Sequence, residues 1–139
     1  MTINDLQDKI IADFEELEDS FTKFAYLTEL ATTLPRLTEE QKSAANLVTG
    51  CQSQVWLEMH CRNGKVELQG DSDTLIVRGI LAIMVTVYSG RHAQEIVNAD
   101  FYLLERAGLM DVLSTDRANG IAAILAKIHS YAAACLGCI

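Results

Sequence analysis

An α+β domain, with a small three-stranded antiparallel sheet covered by several helices, is the fold this sequence predicts. Three observations point to it. Apolar residues recur at three- and four-residue steps over the first third of the chain, the period falls to two around an Asn-Gly dipeptide, and helical spacing returns after Gly70. Helices, then a hairpin, then helices are arranged most simply with the helices on one face of the sheet. With 139 residues, 50% hydrophobic and 22% charged, one domain over 1–139 can bury a core of its own.

The elements follow in order. Ile3, Leu6, Ile10, Phe14 and Leu17 form the stripe of a first helix. Phe21, Phe24, Leu27, Leu30 and Leu34 form that of a second, capped by Asp19 or Ser20 and closed by Pro35. Leu37 to Ala45 allows a further helical turn or two. Val55, Leu57, Met59 and Cys61 alternate with Trp56, Glu58, His60 and Arg62, and after Asn63-Gly64 the alternation resumes at Val66 and Leu68. That is a hairpin with one buried face. A lone hairpin is marginal, so a third strand is expected, and Asn46 to Thr49 is the candidate, ending at Gly50-Cys51. Asp71, Ser72 and Asp73 offer capping oxygens to a helix from Thr74 to Tyr88, apolar nearly all round. Its β-branched content also suits a strand, but its length favours a helix. Gln94–Ala99 and Tyr102–Ala107 read as short helices. A long last helix, starting near Ser114 or Thr115, presents Ile121, Ile124, Leu125, Ile128, Tyr131 and Ala132.

Charge and hydropathy narrow the function classes. With 11 basic and 19 acidic residues the net charge is −8, which disfavours nucleic acid as a partner. The acids cluster: the first 20 residues hold seven against Lys9 alone, as a solvated helix face or a docking surface for a basic partner. The start lacks the basic leader and apolar core of a signal peptide. The most apolar stretch, Ile80 to Val87, falls short of the ~20 residues of a membrane span. A cytoplasmic protein with no membrane association is expected, and in a reducing compartment its cysteines are expected to stay out of a disulfide framework.

Those cysteines are Cys51, Cys61, Cys135 and Cys138. Cys51 falls where strand patterning breaks, between Gly50 and the polar Gln52 and Ser53. A thiol on such a turn is either a structural side chain or a nucleophile whose thiolate is stabilised. Cys61 shares the parity of the buried strand face and reads as structural. Cys135-Leu-Gly-Cys138 lies at a helix C-terminal end, where the dipole opposes a thiolate, so it reads as a frayed tail before a zinc or redox pair. His60, His92 and His129 lack metal-site spacing, and no Gly-rich phosphate loop is present. Arg117 sits in the first turn of the last helix, against the dipole. It is either an ion-pair residue, with Asp73 as the long-range candidate, or part of a site.

Three blocks together, Gly50-Cys-Gln-Ser-Gln-Val-Trp56, Gly70-Asp-Ser-Asp73 with Ile76-Val-Arg-Gly79, and Leu113-Ser-Thr-Asp-Arg-Ala-Asn-Gly120, resemble the SufE family of sulfur-acceptor proteins. Tyr26-Leu-Thr-Glu-Leu30 with Leu34-Pro35 adds a fourth match, so the likeness spans the chain. The resemblance implies a fold related to U-type cluster scaffolds. It also implies a non-enzymatic accessory that takes persulfide sulfur from a SufS-type cysteine desulfurase, stimulates that enzyme, and passes the sulfur to an iron–sulfur scaffold of the SufB type. It places the acceptor on Cys51, in a movable loop over an apolar hollow, with Gly50, Gln52, Ser53, Asp73 and Arg117 supporting it. It implies no cofactor or metal of the chain's own, pyridoxal phosphate belonging to the desulfurase, and relatives that often form homodimers. Ala31-Thr-Thr33 and His92-Ala93 depart from the family pattern at structural positions, and the tail cysteines are not a family feature. The alternative is a metal- or cluster-binding scaffold of the related U-type fold.

Overall fold

The computed structural model describes residues 1–137. Two helices lead into a hairpin: α1 (Ile3–Glu15), α2 (Ser20–Ala31), β1 (Val55–Arg62) and β2 (Lys65–Ser72). Then come α3 (Leu75–Tyr88), β3 (Arg91–His92), α4 (Ala93–Asn98), α5 (Leu103–Arg106), a 3-10 turn at Met110–Val112, and α6 (Thr115–Gly137). The sheet is antiparallel in the order β1-β2-β3. The α+β architecture is the one expected.

Local chemistry accounts for the helix starts. Thr2 and Asp5 form a reciprocal capping box on α1. The Asp19 carboxylate accepts from the Thr22 N–H at 2.7 Å on α2, and the Ser114 hydroxyl accepts from the Arg117 N–H at 3.2 Å on α6. The expected cap on α3 is different. Thr74 occupies the cap position without a side-chain bond, Ser72 Oγ accepts from the Thr74 N–H at 3.2 Å, and Asp71 is fully buried elsewhere.

α3 is the centre of the core, with Ile80, Leu81, Met84, Val87 and Tyr88 all without exposed surface. It meets α2 backbone to backbone. A Cβ on Gly79 would stand 2.2 Å from the Leu27 carbonyl oxygen, so only glycine permits this approach. That contact sets the rotation of α2 and overturns part of its expected stripe: Leu27 and Ala31 are buried, whereas Phe21 and Phe24 are 81% and 42% exposed. On α1 the stripe is likewise shifted, to Ile3, Gln7, Ile11 and Phe14. Gln7 can occupy a core position because its amide donates to the Asp100 carbonyl at 2.9 Å and accepts from the Tyr102 N–H at 3.0 Å.

The third strand is not where the sequence suggested. Asn46–Thr49 contributes only one bridge, Leu47 opposite Trp56, closed by Val48 N–H to the Val55 carbonyl and Leu57 N–H to the Asn46 carbonyl, both 2.8 Å. The ladder stops there because Gly50, at φ 94°, turns the chain away. β3 instead pairs Arg91 and His92 with Val66 and Lys65 of β2. The helical turns expected over 37–45 reduce to single turn bonds such as Lys42 N–H to the Thr38 carbonyl.

That irregular segment is held by charge. The buried Asp71 carboxylate accepts from Arg36 Nε at 3.0 and 3.1 Å, from the Leu37 N–H at 3.1 Å and from its neighbour Ser72 N–H at 2.8 Å, with Lys42 Nζ at 3.6 Å. Burial alone would raise its pKa, but the Arg36 bond and the two backbone donors outweigh it and hold the carboxyl below its ordinary value.

α6 holds 23 residues with a mean hydropathy of 1.4 in its most apolar stretch, enough by length and composition to cross a membrane. Polar residues interrupt it often enough that no single apolar run reveals this. Its apolar face is spent inside the protein, through Ile121, Ile124, Ile128 and Ala132. The helix continues through Cys135, which is buried at 3% exposure and bonded to Cys61 with Cα atoms 5.8 Å apart. Neither the frayed tail nor the absence of a disulfide expected from the sequence holds at Cys135. Cys61 keeps the parity of the buried strand face, yet the sheet ends there and the residue is exposed. Cys138 lies outside the described residues.

Two outcomes follow. Asp71 has a lowered folded-state pKa, so its contribution is present above the unfolded value and lost as pH falls through the folded one. Urea titrations should show stability declining below about pH 4, with Asp71→Asn flattening that decline and costing about 1–3 kcal/mol at neutral pH. The Cys61–Cys135 bond closes a long loop, so a reductant should lower the wild-type stability by about 2–4 kcal/mol and leave Cys61→Ser unmoved. Equal wild-type stability with and without reductant would count against the bond.

Candidate functional site

Cys51 is the free thiol among the described residues, and it is half-buried. Its Sγ lies 3.4 Å from the Gly120 carbonyl oxygen on α6, positioned to donate. The approach depends on two glycines. Gly50 supplies the positive φ that turns the chain, and a Cβ on Gly120 would stand 3.3 Å from the Cys51 sulfur. A glycine inside a helix is costly, and that is the sequence signal that could have marked Gly120.

Beneath the thiol is a hollow of about 50 Å³. Val55 of β1, Val77 and Ile80 of α3, and Ile121 and Ile124 of α6 supply its apolar lining, and Gln52, Ser53, Asp116 and Arg117 complete it. With apolar walls on one side and a neutral carbonyl on the other, burial raises the Cys51 pKa above its ordinary value. At rest the sulfur is therefore a protonated thiol of low reactivity.

The loop is held by polar bonds, some exposed and some part-buried. Gln52 Nε2 donates to Asp116 Oδ2 at 3.0 Å on the surface. The Ser53 and Thr74 hydroxyls are 2.6 Å apart. Asp73 accepts the Gln54 N–H at 3.1 Å while its own N–H donates to the Gln54 carbonyl at 3.3 Å, and Ser72 Oγ donates to that same carbonyl at 2.8 Å. Asp73 is thus the clasp at the loop's exit.

Six residues singled out in the sequence meet here in different ways. Gly50, Cys51, Gln52 and Ser53 form the loop itself, Asp73 secures its end, and Arg117 lines the hollow. The Asp73–Arg117 ion pair does not form among the described residues, because Asp73 spends its carboxylate on the Gln54 and Thr74 donors. Arg117 instead has a buried Nη1 with no partner among the described residues, a donor left available at the hollow. Sequence reasoning did not single out Asp116 and Gly120, both on α6, as part of the site. Among the described residues no three His, Cys, Asp or Glu side chains gather in a way that could hold a metal ion.

Comparison with known proteins shows the family and the fold. The SufE family, described as an Fe-S metabolism associated domain, matches residues 8–132. An uncharacterized SufE-like protein of Rhizobium etli is 41% identical over 130 aligned residues, covering 90% of this chain and 88% of the relative. Another, of Rhizobium meliloti, is 37% identical, covering 90% and 93%. A hypothetical protein from Thermus thermophilus, determined in solution, shares the fold with a TM-score of 0.78 over 95% of this chain and 96% of that one, at 16% identity.

The Gly120 contact yields a direct outcome. Gly120→Ala should push the Cys51 sulfur from its seat, raising its rate of iodoacetamide alkylation by about tenfold while changing stability by less than about 1–3 kcal/mol. In the wild type, alkylation should accelerate with pH through a midpoint above that of free cysteine. A Gly120→Ala rate equal to wild type would mean that the carbonyl seat does not restrain the thiol.

Proposed function

Because the chain belongs to the SufE family, whose domain is associated with Fe–S metabolism, we propose that Cys51 is a persulfide acceptor, taking sulfur from a SufS-type cysteine desulfurase and passing it to a SufB-type cluster scaffold. The observation that carries this reading is the seat of Cys51. The free thiol among the described residues lies on a glycine-turned loop, over an apolar hollow, held by contacts weak enough to break.

The chemistry is sulfur exchange. The Cys51 thiolate attacks the outer sulfur of the desulfurase persulfide, a new S–S bond forms at Cys51, the donor's S–S bond breaks, and the donor cysteine leaves as a thiolate. The sulfane sulfur moves with no net oxidation. The second transfer repeats the step, a thiolate of the scaffold attacking the outer sulfur on Cys51.

Each property of the resting site has a use in that sequence. The raised pKa keeps the unloaded thiol protonated, so it does not react with stray disulfides or electrophiles. The hollow covers the sulfur, and a partner that draws the loop outward restores both solvent and thiolate character. Arg117 has a spare guanidinium donor beside the hollow, suited to stabilising the anion that develops on sulfur. Asp73 sets where the loop ends and so which residues can swing. The chain acts as an accessory and needs no cofactor of its own, since pyridoxal phosphate resides in the desulfurase.

Incubation with a SufS-type desulfurase, pyridoxal phosphate and cysteine should make the protein heavier by one sulfur atom, mapped by peptide mass to Cys51 and removed by a thiol reductant. Cys51→Ser should lose both that sulfur and the stimulation of cysteine turnover. A Cys51→Ser variant that accepts sulfur and stimulates as wild type does would refute the assignment.

A further inference from the structure

The segment before Cys51 is an unfinished strand. Asn46 O and Val48 N–H point toward β1 and are bonded to it at 2.8 Å. Leu47 is the single bridge residue, and Ala45 precedes it in a turn closed by Asn46 N–H to the Ser43 carbonyl and Leu47 N–H to the Ala44 carbonyl. The Ala45 and Leu47 carbonyls take no part in the bridge bonds and need another donor. One side chain supplies it. Lys127 Nζ, projecting from α6, donates to Ala45 O at 3.2 Å and to Leu47 O at 3.1 Å. No carboxylate pairs with this amine among the described residues, so its charge is spent on the two carbonyls. Burial lowers its pKa from the ordinary lysine value.

α6 therefore touches the Cys51 loop at two heights. Near the tip are the Asp116 carboxylate and the Gly120 carbonyl, bonded to an exposed amide and to a thiol. At the base, 11 residues or ~16 Å along the helix from Asp116, is Lys127. The thiol donor makes a weak bond and the Gln52–Asp116 bond, though charge-assisted, lies in solvent, whereas the ammonium makes two charge-assisted bonds, the one to Leu47 O part-buried. The contacts are graded, loose at the sulfur and firm at the root.

We propose that Lys127 is a positioning residue that pins the base of the Cys51 loop to α6, so that opening is confined to residues 49–54. This rests on the reading of Cys51 as a carrier that must move. It adds that the extent of the movement is fixed by a lysine the chemistry never touches. A loop hinged short delivers its sulfur along one path. A loop freed at its root would leave the hollow more often and expose the persulfide to any thiol in solution.

The experiment compares wild type, Lys127→Met and Lys127→Arg in the full chain. Without any desulfurase, Lys127→Met should alkylate at Cys51 about tenfold faster, and its amides at 46–54 should exchange hydrogen faster, with those of α3 unchanged. Lys127→Arg should recover both rates, since a guanidinium can still donate to two carbonyls. Once loaded by a desulfurase, Lys127→Met should lose its sulfur to added free thiol faster than wild type. If Lys127→Met fails to fold, Lys127→Gln, whose shorter neutral amide cannot keep both bonds, carries the same comparison. Equal alkylation and loop exchange in the variants and wild type would overturn the proposal, as would exchange that rises equally in the loop and α3. The first two measurements need no sulfur transfer. A wild type that never accepts sulfur would sink the carrier reading, while the alkylation and exchange rates would still decide whether Lys127 pins the loop.

Discussion

The contact between Gly79 and the Leu27 carbonyl is the constraint from which the rest is built. It lets α2 lie directly on α3, and with that face closed, α3 can be apolar on nearly every side and fill the centre of the protein. The hairpin packs on another side of α3 and α6 completes the hollow's wall, so Val77 and Ile80 become its floor. A helix covered all round fixes its neighbours far more tightly than one with a free face, because close-packed interiors transmit small displacements. The seat of Cys51 is in this sense a by-product of how closely two helices approach on the opposite side.

The irregular stretch from 32 to 54 has no regular element to stabilise it, and three polar devices take that role. The buried Asp71 holds Arg36 and Leu37 to the end of β2, Lys127 holds Ala45 and Leu47 to α6, and Asp73 holds Gln54. Between the last two lies the thiol. Burial strengthens the Asp71 bonds and the one from Lys127 to Leu47, because an unmade bond to a buried group costs more than an exposed one. The Cys51 thiol makes a weak bond and the Gln52 bond is exposed. Bonds of that kind make this part of the segment easy to open.

The element types were readable because periodicity survives any tertiary context. Asn63-Gly64 produced the hairpin, the all-apolar run produced α3, and the Ile121–Ile124–Ile128 spacing produced α6. What failed were assignments that depend on a neighbour. Phe21 and Phe24 sit on a proper helical stripe, yet the stripe is turned outward because α2 is positioned by Leu27. The Asn46–Thr49 run has strand composition, yet it pairs only once because Gly50 diverts it. Asp71 had the look of a helix cap, but two cations and an amide 34 residues back in sequence claimed it. The cysteines followed the same division. Cys51 was recognisable from its flanking residues, while the partner of Cys61 lies 74 positions away.

By itself, then, the amino-acid order determined the helices and hairpin, the turn carrying Cys51, and the family to which the chain belongs, since each is written in residues within a few positions of one another. Tertiary structure alone decided that Gly120 and Lys127 would meet the cysteine loop, that Arg117 would be left with a spare donor rather than paired to Asp73, and that Cys61 would find Cys135. Those pairings join segments tens of residues apart. Nothing local distinguishes them from the other pairings that a chain of this composition could make until the packing of α3 removes the alternatives.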